Sequence, residues 1–401
     1  MGVCGSVFRL KGFLQDAGSR SDHHRRRALV RSFFLSDSTQ TVRVNLAERS
    51  YDIEIGAGNL DQAGRFLAER GRVTHAVVIT DANVERPHAV RAAESLAEAE
   101  ITVDLVVVEP GEPTKSIAAA TALWQKMLQL GADRKSVVVA IGGGVVGDLA
   151  GFIAATYARG IRFVQVPTTL LAQVDSSVGG KVGINLPKAK NMVGAFLQPL
   201  GVLIDTATLE TLDGREYRAG LGEVVKYGVI LDAELFDYLE ANVAGLVRAD
   251  HDVLGHVIAR CCRLKADVVE QDEREESGLR AILNYGHTFG HALEALLGYG
   301  ELLHGEAVAI GMLCASRLAE RLGRVDAEFT ARQRKLLSAL DLPTDLPQLD
   351  HDQILRTMMH DKKVQHGRLR FVLPARMGHV ELVGDVSPDE VRAALKERGE
   401  G

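Results

Sequence analysis

The stretch Val137–Gly151, VVVAIGGGVVGDLAG, constrains this chain more than any other. Val137 to Ile141 form an unbroken apolar run, the pattern of a strand covered on both faces. Gly142, Gly143 and Gly144 follow, and Val145-Val146-Gly147-Asp148 opens an apolar helical stretch. Strand, glycine turn and helix start together make an anion-binding geometry. Glycines let the backbone approach a phosphate, and the free N–H groups of the helix start point at it. Gly142, Gly144 and Gly147 satisfy G-x-G-x-x-G. A tight turn with no ligand satisfies it equally, so the surroundings must decide.

In the ordinary dinucleotide fold an acid for the ribose lies about twenty residues beyond the glycines. No acid occupies that place after a following strand here. Instead Asp81-Ala82-Asn83 closes an earlier strand, His75–Thr80, and Glu112-Pro113-Thr114-Lys115 follows another, Val103–Val108. Polar groups thus gather at the C-terminal ends of successive strands, where open α/β sheets bind ligands. The pattern predicts a dinucleotide pocket with a non-standard chain order.

The 401 residues are enough for two domains with their own cores. Residues 1–40, with the polar and basic run Ser21 to Arg27, read as a disordered or non-native N-terminal extension. Residues 41–211 alternate strand and helix, which predicts an α/β domain with a parallel sheet. Residues 212–401 turn mainly helical, although Arg280 stands just before an expected short strand of apolar residues leading to Asn284 and His287. Asp252–Val269 and Glu306–Leu322 each carry one apolar face, Leu369–Leu373 and His379–Leu382 predict a small hairpin, and Pro388–Arg398 a last helix capped by Ser387. The net charge of -6 gives no basis for nucleic-acid binding, and no apolar run approaches a membrane span. The four cysteines fit neither a disulfide framework nor a zinc knuckle, which points to a reducing cytoplasm.

The strongest signal besides the glycines is Asn284-Tyr285-Gly286-His287-Thr288-Phe289-Gly290-His291, followed by Leu303-His304-Gly305-Glu306 and joined by Gly222-Glu223-Val224-Val225-Lys226. His287 and His291 stand one helical turn apart, but HTFGH lacks the glutamate of HExxH, which argues against a metalloprotease. Glu223, His287, His291 and His304 are the candidate ligands of a catalytic site with three protein ligands and an open position. The alternative for any one histidine is a hydrogen-bonded core residue. Lys181 and Lys190, in small-residue loops near the dinucleotide pocket, predict an anionic substrate such as a phosphorylated acid.

Taken together, several segments resemble the 3-dehydroquinate synthases: Asp81-x-Asn83, Gly111 to Ser116, GGGVVGD, Pro167 to Lys181, Lys190-Asn191-Met192, GEVVK, LNYGHTFGHALE and LLHGEAVAIGM. The resemblance runs from about Val42 to the end of the chain. It implies NAD and one divalent metal, zinc or cobalt, as cofactors. Asp81, Asn83, Glu112, Lys115, Gly142, Gly143, Gly144, Asp148, Thr168, Thr169, Lys181, Lys190 and Thr208 would hold the nucleotide. Glu223, His287 and His304 would bind the metal, leaving His291 as a substrate or proton-relay group. Asp175, Lys181, Lys226, Arg280 and Asn284 would serve the chemistry. Arg159, Asn191, Lys265, Glu276 and Lys362 or Lys363 would surround the substrate. The arginine matching Arg159 reaches the neighbouring subunit's site in that family, so a homodimer is implied.

The implied reaction converts 3-deoxy-D-arabino-heptulosonate 7-phosphate to 3-dehydroquinate and phosphate. It proceeds by transient oxidation, phosphate elimination, reduction, ring opening and aldol closure, so NAD is not consumed. Two other enzyme classes share parts of this constellation. Cyclases that make an inosose or valiolone ring lack a substrate carboxylate, which Lys265 and Arg280 suit. A polyol dehydrogenase needs no phosphate pocket. A non-catalytic nucleotide-binding regulator would leave the Glu223, His287, His304 set without a purpose.

Overall fold

The structure is a computed structural model that describes residues 7–10, 39–187, 189–298, 300–359 and 370–396. The chain divides into two compact units, Met1–Leu212 and Asp213–Gly401. In the first, eight strands form one sheet: β1 Val7–Leu10, β2 Gln40–Val44, β3 Tyr51–Gly56, β4 His75–Asp81, β5 Thr102–Val108, β6 Val137–Gly142, β7 Arg162–Pro167 and β10 Gly201–Asp205. Their order is β1-β5-β4-β6-β7-β10-β3-β2. The six central strands run parallel, and β1 and β2 close the two edges antiparallel.

The apolar run of β6 is explained by what lies on its two sides. Val138 and Ala140 pack with Ala120 and Leu123 of α3 (Ile117–Gln129) and with Leu149 and Ile153 of α4 (Gly144–Thr156). Val137, Val139 and Ile141 pack on the other face with Phe66 and Leu67 of α1 (Ala63–Ala68) and Ala93 and Leu96 of α2 (Val90–Glu98). A strand buried on both faces has no use for alternation.

The strand order reverses beside β4, which has β5 on one side and β6 on the other. That is where open sheets of this kind bind ligands. The glycine turn follows β6 rather than the first strand of the alternation, which is why no ribose-binding acid stands at the usual spacing.

Three expectations are corrected here. The extension 1–40 is not wholly without structure, because Val7–Leu10 pairs antiparallel with β5, from Val7 opposite Val106 to Leu10 opposite Val103. Arg9 grips the fully buried Asp104 with two hydrogen bonds of 2.8 Å, and His75 Nε2 lies 3.0 Å from the same carboxylate. Lys181, Lys190 and Asn191 do not sit in glycine loops. They lie on a two-stranded hairpin, β8 Lys181–Leu186 and β9 Ala189–Phe196, whose Val182 and Ile184 pack into the core beside α4. Finally, Arg280 does not precede a strand, since Leu279–Asn284 is a 3₁₀ turn.

Burial raises the Asp104 carboxyl, but the hydrogen bonds from Arg9 and His75 outweigh it and hold its pKa below the usual value. A depressed carboxyl stabilises the fold above its unfolded pKa of about 4, and that stability is lost as pH falls through the folded value. A chain beginning at Thr41 is therefore expected to melt about 2–4 °C lower at neutral pH. The difference should shrink in acid. Identical melting of the two chains at neutral pH would show that the strand adds nothing.

The second unit is helical: α5 Gly214–Leu231, α6 Ala233–Ala241, α7 Val243–Val247, α8 His251–Gln271, α9 His287–Leu297, α10 His304–Arg321, α11 Ala327–Ala339, α12 His351–Met359 and α13 Pro388–Lys396. The hairpin is β11 Phe371–Arg376 with β12 His379–Val383. Ser387 caps α13, its Oγ accepting from Glu390 N at 3.2 Å. No helix among the described residues is long and apolar enough to cross a membrane.

Candidate metal centre and nucleotide-binding edge

In the first unit, α4 begins at Gly144 with Gly143 as its cap, so no side chain accepts from its first N–H groups. Those donors are left for a ligand. The buried hydroxyls of Thr80, next to last in β4, and of Thr168, just after β7, have no hydrogen-bond partner among the described residues. Orphaned donors at the reversal point fit an anionic nucleotide. The Asp81 carboxylate accepts from Asn83 N at 2.9 Å and Val84 N at 3.2 Å. Burial nevertheless raises its pKa against those two bonds.

Lys115 is the hub of this edge. It is buried, and its Nζ donates to Asp148 Oδ2 and Asn191 Oδ1, both at 2.6 Å, with Glu112 Oε1 at 3.9 Å. Asn185 completes the network, donating to Glu112 Oε1 at 2.7 Å and accepting from Asn191 N at 2.8 Å. Asn191, expected at the substrate, thus belongs to the same cluster as the expected nucleotide residues and adopts a left-handed φ of 53°. Thr169 Oγ1 accepts from Ala172 N at 3.2 Å. Thr208 is turned inward, donating to Asp205 O at 2.7 Å and accepting from Gln173 at 3.1 Å. Lys181 is exposed at the start of β8, and Asp175 lies in a π-helical turn, Ala172–Ser176. Ala158, Arg159 and Gly160 are consecutive left-handed residues, with φ of 50°, 71° and 109°, and present Arg159 to solvent.

In the second unit, Glu223 from α5, His287 from α9 and His304 from α10 bring one ligand atom each within 4.8 Å of one another. Glu223 Oε1 faces both His287 Nε2 and His304 Nε2 at 3.6 Å. Lys226 Nζ stands against the other oxygen, Oε2. His287 Nδ1 lies 3.1 Å from Tyr285 O, a contact that assigns the proton to Nδ1 and leaves Nε2 as the ligand. Burial disfavours the charged form of His304, yet Glu294 and Glu223 outweigh it and raise its pKa. One carboxylate and two imidazoles are a donor set suited to zinc or a similar divalent ion.

Close helix packing makes the three ligands converge. A Cβ on Gly305 would stand 1.7 Å from Ala219 O on α5, and one on Gly311 would stand 2.1 Å from Gly286 O. At the start of α10 Glu306 Oε2 accepts from Leu303 N at 2.8 Å, and Glu306 pairs with Arg215 of α5 at 2.7 Å. The glycines and the glutamate of HGE are therefore structural, and the histidine alone is a ligand candidate.

His291 is near but apart, its ring centroid 5.4 Å from that of His287 and 5.9 Å from that of His304. Lys265 and Arg280 are buried, and Arg280 Nη1 donates to Glu273 O at 3.0 Å. Asn284 Nδ2 donates to Ala281 O at 3.3 Å, and Glu276 is exposed. Lys362 and Lys363 lie outside the described residues. Two residues of these clusters, Asn185 and Glu294, escaped the sequence reading. Asn185 carries no signal of its own. Glu294 stands seven residues after His287, which at helical spacing is the same face.

The chain matches the family models for the 3-dehydroquinate synthase N-terminal region over residues 105–219 and C-terminal region over residues 220–364. It is 50% identical over 367 residues to a 3-dehydroquinate synthase from Rhodopirellula baltica, covering 90% of this chain and 98% of that protein. Among solved structures, a 2-deoxy-scyllo-inosose synthase complexed with carbaglucose-6-phosphate, NAD+ and Co2+ superimposes with a TM-score of 0.82 at 29% identity, over 89% of this chain and 99% of that one. A 2-epi-5-epi-valiolone synthase from Streptomyces hygroscopicus with NAD+ and Zn2+ bound gives 0.80 at 31%, over 88% and 97%. With half of its residues shared along almost the whole length of such a relative, this chain belongs to the 3-dehydroquinate synthase family.

Proposed function

We infer that the chain is a phosphate-eliminating lyase that converts 3-deoxy-D-arabino-heptulosonate 7-phosphate to 3-dehydroquinate, the second step of the shikimate pathway. The observation that carries this is the 50% identity over 98% of a named 3-dehydroquinate synthase, against 29% and 31% for the two ring-forming relatives of known structure. When bound, NAD supplies a reversible hydride transfer and the divalent ion polarises the oxygen at the carbon being oxidised.

The chain's own residues have separate tasks. The uncapped start of α4 and the Thr168 hydroxyl would receive the nucleotide, with Lys115 fixing Asp148, Glu112 and Asn191 around it. Glu223, His287 and His304 would hold the ion. Lys226 and Lys265 are cations held on helices, suited to the anionic ends of the substrate. Arg280, with a planar fork, suits the carboxylate. His291 would act as a substrate or proton-relay group, and Asn284 would help to hold phosphate. Arg159, exposed on a left-handed backbone, supports a homodimer in which it reaches a partner subunit. A cytoplasmic location accords with the cysteine usage.

Phosphate release from the heptulosonate phosphate, in the presence of NAD and zinc or cobalt, tests the reading. Because the hydride returns, product should form with no net NADH. Steady NADH accumulation in step with product would instead indicate a polyol dehydrogenase.

A further inference from the structure

We propose that Glu294 is the positioning residue of the metal centre, its carboxylate orienting the His304 imidazole so that Nε2 is presented to the ion. The inference rests on the assignment of Glu223, His287 and His304 as ligands.

His304 has a carboxylate beside each ring nitrogen. Glu223 Oε1 lies 3.6 Å from Nε2, and Glu294 Oε2 lies 3.6 Å from Nδ1. Both are ion-pair separations rather than hydrogen bonds. A neutral imidazole has one protonated nitrogen and one lone pair, so the two carboxylates cannot play the same part. Glu223 shares the Nε2 side with His287, whose own ligand atom faces the same oxygen at 3.6 Å. Glu294 is therefore the carboxylate left facing Nδ1–H. His287 has its Nδ1 at Tyr285 O, 3.1 Å away. Each histidine thus has a second acceptor behind it, a neutral carbonyl for one and a buried carboxylate for the other. The carboxylate makes His304 the more basic ligand.

His287, His291 and Glu294 occupy positions i, i+4 and i+7 of α9 and share one face. A competing role follows from the same geometry, because His291, Glu294 and His304 also bring ligand atoms within 4.8 Å of one another. Were Glu294 a ligand there, His304 would have to bridge two ions as an imidazolate and lose its Nδ1 proton. Orientation by Glu294 needs no such deprotonation.

The test compares Glu294→Ala, Glu294→Gln and Glu223→Gln with the full chain. It measures zinc stoichiometry, zinc affinity by competition with a chromophoric chelator, and melting of the chelated proteins. Glu294→Ala is expected to weaken zinc binding about 10- to 100-fold. Glu294→Gln, whose amide oxygen still accepts from Nδ1–H, should recover most of that loss. Both chelated variants should melt with the chelated parent. Unchanged affinity in Glu294→Ala overturns the proposal. So do two zinc ions per parent chain with one lost in Glu294→Ala, which would make Glu294 a ligand. If Glu223→Gln also keeps full affinity, the ligand assignment has failed and the proposal falls with it.

Discussion

Glu223→Gln is expected to lose its metal and at least about a thousandfold of its activity while remaining folded. A bound ion acting on a developing alkoxide supplies several kcal/mol of transition-state stabilisation, and about 1.4 kcal/mol is a factor of ten. Glu223 is fully buried on α5, with Oε1 shared between two imidazoles. It is the one anionic member of the ligand set, so its amide isostere removes the charge that a divalent ion needs. The amide fills the same space, so the packing of α5 should persist. His304→Ala should give the same loss of metal through the other end of the pair. Metal content after reloading, circular dichroism and phosphate release measure the three parts of this expectation. Chelation of the parent chain should abolish turnover, and zinc or cobalt should restore it. Full activity in a chelated parent would falsify the metal assignment.

The parts of this molecule legible in its sequence are those in which a local pattern dictates a local structure. The valines before Gly142 announce a doubly covered strand, and the three glycines announce the turn that leaves α4 uncapped. From spacing alone the ligands stay an open set of four, and only the family resemblance singles out Glu223, His287 and His304. Nothing in the spacing of His287, His291 and His304 ranks one above another until α10 places the Nε2 of His304 beside Glu223. A residue whose role depends on a distant partner carries no local signature of it. Asp104 looks like an error in an apolar strand until Arg9, 95 positions away, is found to bind it. Gly179, Gly180 and Gly183 give the sequence around Lys181 and Lys190 the composition of a loop and hide the short hairpin that carries them. Arg280 and its apolar neighbours suggested a strand, but a six-residue run is too short for periodicity to separate a strand from a tight helical turn.

The glycines of the histidine motifs show why such patterns mislead, and Gly305→Ala puts the point to the test. Beside a histidine ligand a glycine invites the reading that it admits a ligand, yet Gly305 admits a neighbouring helix. Its Cβ would stand 1.7 Å from Ala219 O and 2.5 Å from Ala219 C, both backbone atoms that cannot rotate away. Alanine alone would favour α10 by about 1 kcal/mol over glycine. The overlap is far larger than packing tolerates, and overpacking of this kind costs about 3 kcal/mol or more. The net effect is a strongly destabilised chain. Any fraction that folds must separate α10 from α5, which carry His304 and Glu223. Zinc affinity should therefore fall together with the melting temperature, although neither ligand has been altered. Gly384→Ala, where a Cβ meets no atom within 4 Å, should change neither. A Gly305→Ala chain that melts with the parent but loses zinc would place the glycine in the coordination shell. One that keeps both would show that α5 and α10 are not held at backbone contact, and the convergence of the three ligands would need another cause.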